Sequence, residues 1–169
     1  MTWLSDRQRH GGIDRLEIAG HGTLWLCGKH FVGPDPAGSL ASVSAASIVC
    51  LNEEHELADR YPHYVDWLRS DLRARWFPIP DLGAPTPVDM RTIVDAVLHD
   101  LDGSGSAVVH CGAGIGRAGT VAVCTLMATG IDAPSAVATV AEARPGAGPE
   151  SGPQRDLVAR LGELGFSAY

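Results

Sequence analysis

One short segment combines a nucleophile with groups that bind anions. Cys111 directly follows the apolar run Ala107–His110, and the residues from Gly112 to Gly116 include three glycines. Arg117 comes next and begins an apolar stretch with helical spacing. Glycines let successive backbone N–H groups point to one centre, and a following helix directs its N-terminal dipole there. The segment is therefore expected to hold a phosphate-sized anion beside a cysteine sulfur.

The same neighbours favour the thiolate form of Cys111, because N–H donors and a guanidinium stabilise negative charge. Arg117 can present a planar fork of donors to two oxygens of a phosphate. A thiolate beside a bound phosphate is a nucleophile directed at phosphorus. The spacing therefore predicts transfer of a phosphoryl group to sulfur, and this chemistry requires no metal and no other cofactor.

His110 precedes the cysteine, five residues separate Cys111 from Arg117, and Gly119-Thr120 follow the arginine. In these features the segment resembles the signature loop of protein tyrosine and dual-specificity phosphatases. The likeness runs from about Leu16 to Leu164 and is closest to the compact dual-specificity branch. It implies that Cys111 attacks phosphorus and that His110 fixes the loop by hydrogen bonding. The phosphate-binding residues that it implies are Gly112, Ala113, Gly114, Ile115, Gly116 and Arg117.

The resemblance also assigns roles to two residues outside the loop. Asp81 lies in a proline-rich loop thirty residues before Cys111, and it matches the family's general acid. It would protonate the leaving oxygen and later accept a proton from the attacking water. Gln154 matches the glutamine that positions this water. The alternatives are that Asp81 is an ordinary turn residue and that Gln154 is an exposed helix residue.

Ala118 departs from the family pattern, which has serine or threonine immediately after the arginine. The resemblance implies that this hydroxyl donates to the cysteine sulfur and helps it leave when phosphocysteine is hydrolysed. Two functions follow, an active phosphatase and a phosphotyrosine-binding module with weak catalysis. The presence of Cys111, Arg117 and a candidate acid favours the enzyme.

The loop and the overall charge bear on the substrate. Phosphoinositide phosphatases of this superfamily place basic residues in the loop, and none lies between Cys111 and Arg117. We therefore expect a phosphoprotein substrate, phosphotyrosine first and phosphoserine or phosphothreonine second. No motif matches the loop that grips phosphotyrosine in the larger receptor-type relatives, and the acidic stretch Asn52–Glu56 occupies a comparable place, so the resemblance implies a compact, shallower site. The formal charge of -7 disfavours binding to nucleic acid or to an anionic membrane, and the sequence leaves the oligomeric state unknown.

Strands that alternate with helices must position these residues, which predicts a single α/β domain with a mostly parallel central sheet flanked by helices. The resemblance implies a dual-specificity-phosphatase-like fold across residues 1–169, with residues 1–14 as a loosely ordered N-terminal arm. Two strands near Leu16 and Trp25 would add an antiparallel edge. The other predicted strands are Ser47–Leu51, Arg75–Phe77 and Ala107–His110. The predicted helices are Ala37–Val43, one around Tyr64–Leu68, one that begins at Pro87, Arg117–Thr129, Ala133–Ala143 and Ser151–Leu164.

Other functions fit the sequence less well than a phosphatase does. Gly114–Gly119 also fits a dinucleotide-binding fingerprint, but no strand ending in an acidic residue follows ~20 residues later. His21, Cys27 and His30 lack a convincing fourth ligand, so no metal site is expected. The residues before Gly12 contain no apolar signal segment, which predicts a cytoplasmic protein with reduced cysteines. Cys50, ahead of Cys124, is the candidate disulfide partner of Cys111.

Overall fold

The computed structural model describes residues 3–166, which form a five-stranded sheet in the order β1-β2-β5-β3-β4. The β1–β2 pair is antiparallel and the other neighbours are parallel. The predicted α/β fold with an antiparallel edge is therefore confirmed. Within the described residues no strand follows β5, although a dinucleotide-binding unit would require one there. The strands are β1 Ile13–Glu17, β2 Thr23–Gly28, β3 Ser47–Cys50, β4 Ala74–Trp76 and β5 Ser106–Cys111.

Eight α-helices are present in the described part of the chain, and four of them begin with a side-chain cap followed by a proline. Asp35, Thr86, Asp132 and Ser151 each accept a backbone N–H from the first turn of their helix, and a proline follows each cap within that turn. The helices are α1 Trp3–His10, α2 Lys29–Val32, α3 Pro36–Ser42, α4 Pro62–Ser70, α5 Pro87–Leu101, α6 Gly116–Ala128, α7 Ala133–Ala143 and α8 Gly152–Leu164, with a 3₁₀ turn at Glu54–Glu56.

The predicted loosely ordered arm over residues 1–14 stays a prediction, and residues 1 and 2 of it lie outside the described residues. Residues 3–10 form helix α1, and Ile13 and Asp14 already pair with β2. Hydrophobic periodicity is weak in these polar residues, so the sequence offered little sign of the helix. None of the helices within residues 3–166 has both the length and the apolar composition to cross a membrane.

The two faces of β5 pack against different cores, as the alternation of side chains in a strand requires. Ala107, Val109 and Cys111 face a large core that includes residues of α5, α6 and α8. Val108 faces a second core that includes Tyr64 and other residues of α4. This alternation places the sulfur of Cys111 beside α6 and the imidazole of His110 beside α4.

Parallel strands bring their carboxyl ends to one edge of the sheet, where ligands bind in α/β folds. Gly28 at the end of β2 is level with Cys111, and Cys50 at the end of β3 is level with His110. The loops after three neighbouring strands therefore meet around the loop that follows Cys111.

Candidate active site

The loop from Cys111 to Arg117 turns its carbonyl groups away from its centre. The carbonyl oxygen of Gly112 accepts a hydrogen bond from the backbone N–H of Lys29 at 3.0 Å. That of Ala113 accepts one from Nη2 of Arg144 at 2.7 Å. Helix α6 begins at Gly116, and no side chain caps its N-terminus in the described structure. The N–H groups of the first helical turn are therefore available to a bound anion.

Gly114 is required at its position for two reasons. Its φ of +75° lies in the left-handed region that L side chains rarely adopt, and a Cβ there would meet the carbonyl oxygen of Cys27 at 2.3 Å. The loop thus passes directly over the end of β2. Any side chain at this point would push the loop away from the strand and open the anion nest.

Arg144 supports the loop from outside. It is almost completely buried, and its Nη1 lies 2.7 Å from the carboxylate of Asp14. Its contact with the Ala113 carbonyl therefore links the edge strand β1 to the phosphate-binding loop. Nothing in the sequence indicates this contact, because the partners lie far apart in the chain.

Arg117 is held by a residue that the sequence analysis did not assign to the site. Glu56, in the 3₁₀ turn after β3, accepts hydrogen bonds from Nη1 and Nη2 of Arg117 at 2.8 and 2.7 Å. Nη1 also donates to the carbonyl of Ile79 at 2.8 Å. Burial alone would raise the pKa of Glu56, but hydrogen bonds from Arg117 and from the backbone of Glu53 outweigh it and lower that pKa to about 2. Glu56 is therefore ionised and orients the guanidinium.

Replacing Glu56 with glutamine is expected to lower kcat/KM on an aryl phosphate by about 10- to 150-fold. This range corresponds to the loss of a charged hydrogen bond worth ~1.5–3 kcal/mol, because the guanidinium is then free to turn away from the phosphate. Steady-state kinetics measure the change. Glu54→Gln is the matched control, since Glu54 is exposed and pairs with Arg69 instead. Equal kinetics in the two variants would contradict an orienting role for Glu56.

Asp81 borders the same cavity as the predicted nucleophile Cys111. One oxygen of its carboxylate is 3.2 Å from Nη2 of Arg117 and accepts the backbone N–H of Leu82 at 3.0 Å. Its side chain is 73% exposed, so it is open to an entering substrate. The cavity has a volume of about 400 Å³ and is bordered by Cys111, Arg117, Asp81, Glu56, Glu150 and Lys29. The structure thus brings the predicted nucleophile, arginine and acid together.

Gln154 is placed differently from the expectation. Its side chain is buried, and its Oε1 accepts the backbone N–H groups of Glu150 and Ser151 at the start of α8. Its Nε2 donates to the carbonyl of Gly83 in the loop that carries Asp81, at 3.1 Å. It does not border the cavity. In this geometry Gln154 caps α8 and anchors the acid loop, and its predicted role in positioning water stays a prediction.

Glu150, in contrast, reaches the cavity. Its carboxylate lies directly against Gly116, where an added Cβ would meet Oε1 at 2.0 Å. Glu150 was not assigned to the site from the sequence. Gly116 is therefore needed both for the loop and for the close approach of this carboxylate.

His110 lies behind the loop, and its role in fixing the loop stays a prediction. Its Nδ1 lies 3.3 Å from the carbonyl of Cys111, and its Nε2 lies 2.6 Å from the hydroxyl of Tyr64. Burial lowers the pKa of His110 to about 4, so the ring is neutral at neutral pH. A carbonyl only accepts, so Nδ1 carries the proton and Nε2 accepts from Tyr64. Tyr64 was not assigned to the site from sequence, because it is supplied by α4.

Among the described residues around the cavity, no hydroxyl replaces the one that Ala118 lacks. Ala118 is fully buried, and the hydroxyl of Thr120 donates to the carbonyl of Gly116 at 2.7 Å. None of the described residues that border the cavity is serine, threonine or tyrosine. The sulfur of Cys111 therefore has no side-chain hydroxyl donor among these residues.

The other cysteines are buried free thiols. Cys27 and Cys50 lie on the strands either side of β5, and each is level with His110. Burial raises the pKa of Cys50 and of Cys124 to about 12 and that of Cys27 further still. Cys50 lies on the strand next to the one that carries Cys111, and a disulfide between them stays a prediction.

Residues 27–157 match the model of the family described as "PTP-SAK: Swiss Army Knife protein, DSP-PTPase phosphatase domain". No curated protein matches the chain by sequence.

Solved structures resemble the chain along most of its length. Kinase associated phosphatase, in a form with its catalytic cysteine replaced by serine, is 20% identical, with 94% of this chain and 97% of that chain covered and a TM-score of 0.79. Tk-PTP in its active form is 24% identical over 89% and 97% of the two chains, with a TM-score of 0.68. PTPMT1 in complex with PI(5)P is 15% identical over 91% and 97%, with a TM-score of 0.70. These likenesses show the fold.

The family model spans the strand, the loop, the arginine and the acid loop that form the site, and it covers well over half of the chain. The chain therefore belongs to the PTP-SAK family and is a phosphatase domain of the dual-specificity and protein tyrosine phosphatase superfamily.

Proposed function

We propose that this protein hydrolyses phosphotyrosine in phosphoproteins through a phosphocysteine intermediate, with phosphoserine and phosphothreonine as further substrates. The observation that carries the proposal is the meeting of Cys111, Arg117 and Asp81 around one cavity at the start of α6. The cytoplasm is the compartment that suits such an enzyme best, because its thiolate must stay reduced.

In the first step the phosphate lies in the loop, with its oxygens bound by backbone N–H groups and by Arg117. The sulfur of Cys111 attacks phosphorus in line and the bond to the tyrosine oxygen breaks. Asp81 gives its proton to that oxygen as it leaves. The donors around the loop stabilise the charge that develops on the three equatorial oxygens.

In the second step water attacks the phosphocysteine and the sulfur leaves as a thiolate. Asp81, now ionised, accepts a proton from this water. The loop and Arg117 hold the phosphoryl group as before, since the transition state carries its charge on the same oxygens. Inorganic phosphate is the product, and the thiolate of Cys111 is restored.

The loop residues support a phosphoprotein over a phosphoinositide substrate. None of the five residues between Cys111 and Arg117 is basic, so the loop itself offers no additional cation to an inositol ring with several phosphates. A phosphoinositide is the second candidate, because PTPMT1, of similar fold, is known in complex with PI(5)P.

Release of phosphate from three substrates tests the proposal. A phosphotyrosine peptide, the same peptide with phosphoserine, and a short-chain PI(5)P are compared at equal concentration. The phosphotyrosine peptide is expected to give the highest kcat/KM, with many phosphates released per enzyme molecule. A higher value for PI(5)P would contradict the substrate class. Release of no more than one phosphate per enzyme, with tight peptide binding, would favour the binding module.

Ala118 predicts that hydrolysis of phosphocysteine limits the rate. A hydrogen bond to the developing thiolate would contribute ~1.5–3 kcal/mol, or about 10- to 150-fold in rate if it forms only in the transition state. The first step suffers less, because the same bond would also stabilise the resting thiolate. Rapid mixing with an aryl phosphate is expected to show a burst of phenol equal to the enzyme concentration, followed by a slow steady state.

Ala118→Ser is expected to raise the steady-state rate and shrink the burst. Ala118→Gly is the matched control, because it changes the same buried position without adding a hydroxyl. A reaction without a burst, in which Ala118→Ser leaves kcat unchanged, would show that another group stabilises the leaving sulfur.

A further inference from the structure

Glu150 brings another carboxylate to the active site besides that of the candidate acid Asp81. It is exposed and borders the same cavity as Cys111, where its carboxylate lies against Gly116, the first residue of α6. The dipole of α6 stabilises a negative charge at this end of the helix. The oxygens of Glu150 make no hydrogen bond or ion pair with the part of the chain that the structure describes. They are therefore open to a molecule in the cavity.

The backbone that carries Glu150 is held on both sides. The N–H of Glu150 donates to Oε1 of Gln154 at 2.9 Å. Two residues earlier, the N–H of Gly148 donates to the carbonyl of Ile115 in the phosphate-binding loop at 3.1 Å. Gly148 also packs so closely on α6 that a Cβ added at Gly119 would lie 2.2 Å from its nitrogen. Glu150 thus extends into the cavity from a backbone that is attached to both the loop and α8.

Hydrolysis of phosphocysteine requires a water whose lone pair faces phosphorus, and acceptors for its two hydrogens fix that orientation. Asp81 accepts one hydrogen as a proton in the proposed second step. The carboxylate of Glu56 is bound to both terminal nitrogens of Arg117, and the amide oxygen of Gln154 accepts N–H groups of α8. Among the described residues that border the cavity, Glu150 is the remaining one with a carboxylate for the second hydrogen.

We propose that Glu150 is a catalytic residue of the second step, in which it accepts a hydrogen bond from the attacking water. The proposal rests on the proposed phosphatase function. The water oxygen bonds to phosphorus while the bond from phosphorus to sulfur breaks, and its electron pair returns to Cys111. One hydrogen passes to Asp81 as a proton, and the other stays on the new phosphate oxygen and faces Glu150. The first step uses no water, so Glu150 does not assist it, and its charge repels the substrate phosphate.

Glu150→Ala is expected to slow the decay of phosphocysteine by about 10- to 150-fold, the effect of losing a hydrogen bond to a charged acceptor. Phosphocysteine is measured by mass spectrometry of enzyme quenched at intervals after rapid mixing with one equivalent of an aryl phosphate. The kcat/KM reports the first step and is expected to stay unchanged or to rise, because a repelling charge is removed. A variant that only disturbed the loop would lower kcat/KM as well.

Two further variants show whether the acceptor itself matters. Glu150→Gln keeps an oxygen that accepts a hydrogen bond, so its decay rate is expected to lie between those of the wild type and Glu150→Ala. Glu163→Ala is the matched control, because Glu163 is exposed at the other end of α8 and does not border this cavity. It is expected to keep both rates. Unchanged decay in Glu150→Ala, or equal losses in decay and kcat/KM, would overturn the proposal.

Gln154→Ala separates this role from the one that the family pattern gives to glutamine. Gln154 anchors the acid loop through Gly83, so its loss is expected to lower kcat/KM as well as the decay rate. If Gln154→Ala slows the decay alone and Glu150→Ala does not, then Gln154 orients the water and the proposal is overturned. A wild-type enzyme that releases phosphate without forming phosphocysteine would overturn the proposed function itself. Phosphocysteine that forms and decays equally in wild type and Glu150→Ala overturns only the role of Glu150.

Discussion

Cys111→Ser is expected to abolish turnover while phosphate binding persists. A serine hydroxyl in this loop is a far weaker nucleophile than a thiolate, and loss of an enzyme's nucleophile lowers kcat by on the order of 10⁴-fold or more. The anion nest depends on the backbone, on Gly114 and on Arg117, all of which the substitution leaves in place. Phosphate release measures the first effect and vanadate binding by calorimetry measures the second.

Arg117→Lys is the companion variant, because it keeps the positive charge and removes the fork. Glu56 and the Ile79 carbonyl hold the guanidinium through both of its terminal nitrogens. An ammonium cannot satisfy these partners and bind two phosphate oxygens at once. A loss of about 10³-fold in kcat/KM is expected, the scale on which phosphoryl-transfer enzymes depend on an arginine. Substantial turnover in Cys111→Ser would contradict the nucleophile, whatever Arg117→Lys shows.

The parts of the site that the sequence predicted are those encoded within one short segment. The strand, the glycines, Arg117 and the helix lie next to one another in the chain, so local propensity and spacing are enough to place them. The sheet was predictable for the same reason, because buried strands alternate with helices that carry caps such as Ser151.

The residues that the sequence did not reveal act across long separations. Glu56 reaches Arg117, Arg144 reaches Ala113, and Tyr64 reaches His110, each from a different element. Nothing in the spacing of these residues distinguishes them from exposed charges or core aromatics. Glu56 reaches the loop because the ends of β2, β3 and β5 meet at one edge of the sheet. Tyr64 and Arg144 are brought there by the packing of α4 and of the end of α7.

Gln154 and Glu150 show how a family pattern and local geometry can differ. Both residues begin α8, and one side chain there must satisfy the backbone N–H groups that a helix start leaves unpaired. Ser151 and Gln154 form that capping pair, so the amide of Gln154 is committed to the backbone and to Gly83. The side chain of Glu150 does not take part in this capping pair, and it extends over Gly116 into the cavity.

Asp81→Asn is expected to lower kcat/KM, which reports the first step, by about 10²–10⁴-fold on a phosphotyrosine peptide, the range for loss of a positioned general acid. The tyrosine oxygen is a poor leaving group, so the bond to phosphorus breaks slowly unless the oxygen is protonated as it leaves. Asparagine keeps the size of the side chain and can still accept the backbone N–H of Leu82, which holds the loop residue in place. The substitution therefore removes the proton that Asp81 would donate and leaves the side chain at the same position.

Comparing leaving groups of different basicity distinguishes a general acid from a residue with a structural role. An aryl phosphate with a nitro group departs as a stable anion that needs no proton, so Asp81→Asn is expected to slow its first step much less. That step is measured as the burst of nitrophenol, because Ala118 is predicted to make the second step limiting. Asp89→Asn is the matched control, since Asp89 is exposed, caps α5 with Thr86 and does not touch Arg117. Equal losses of rate with the peptide and in the nitrophenol burst would indicate that Asp81 only maintains the shape of its loop. A general acid must matter most where the leaving oxygen is most basic.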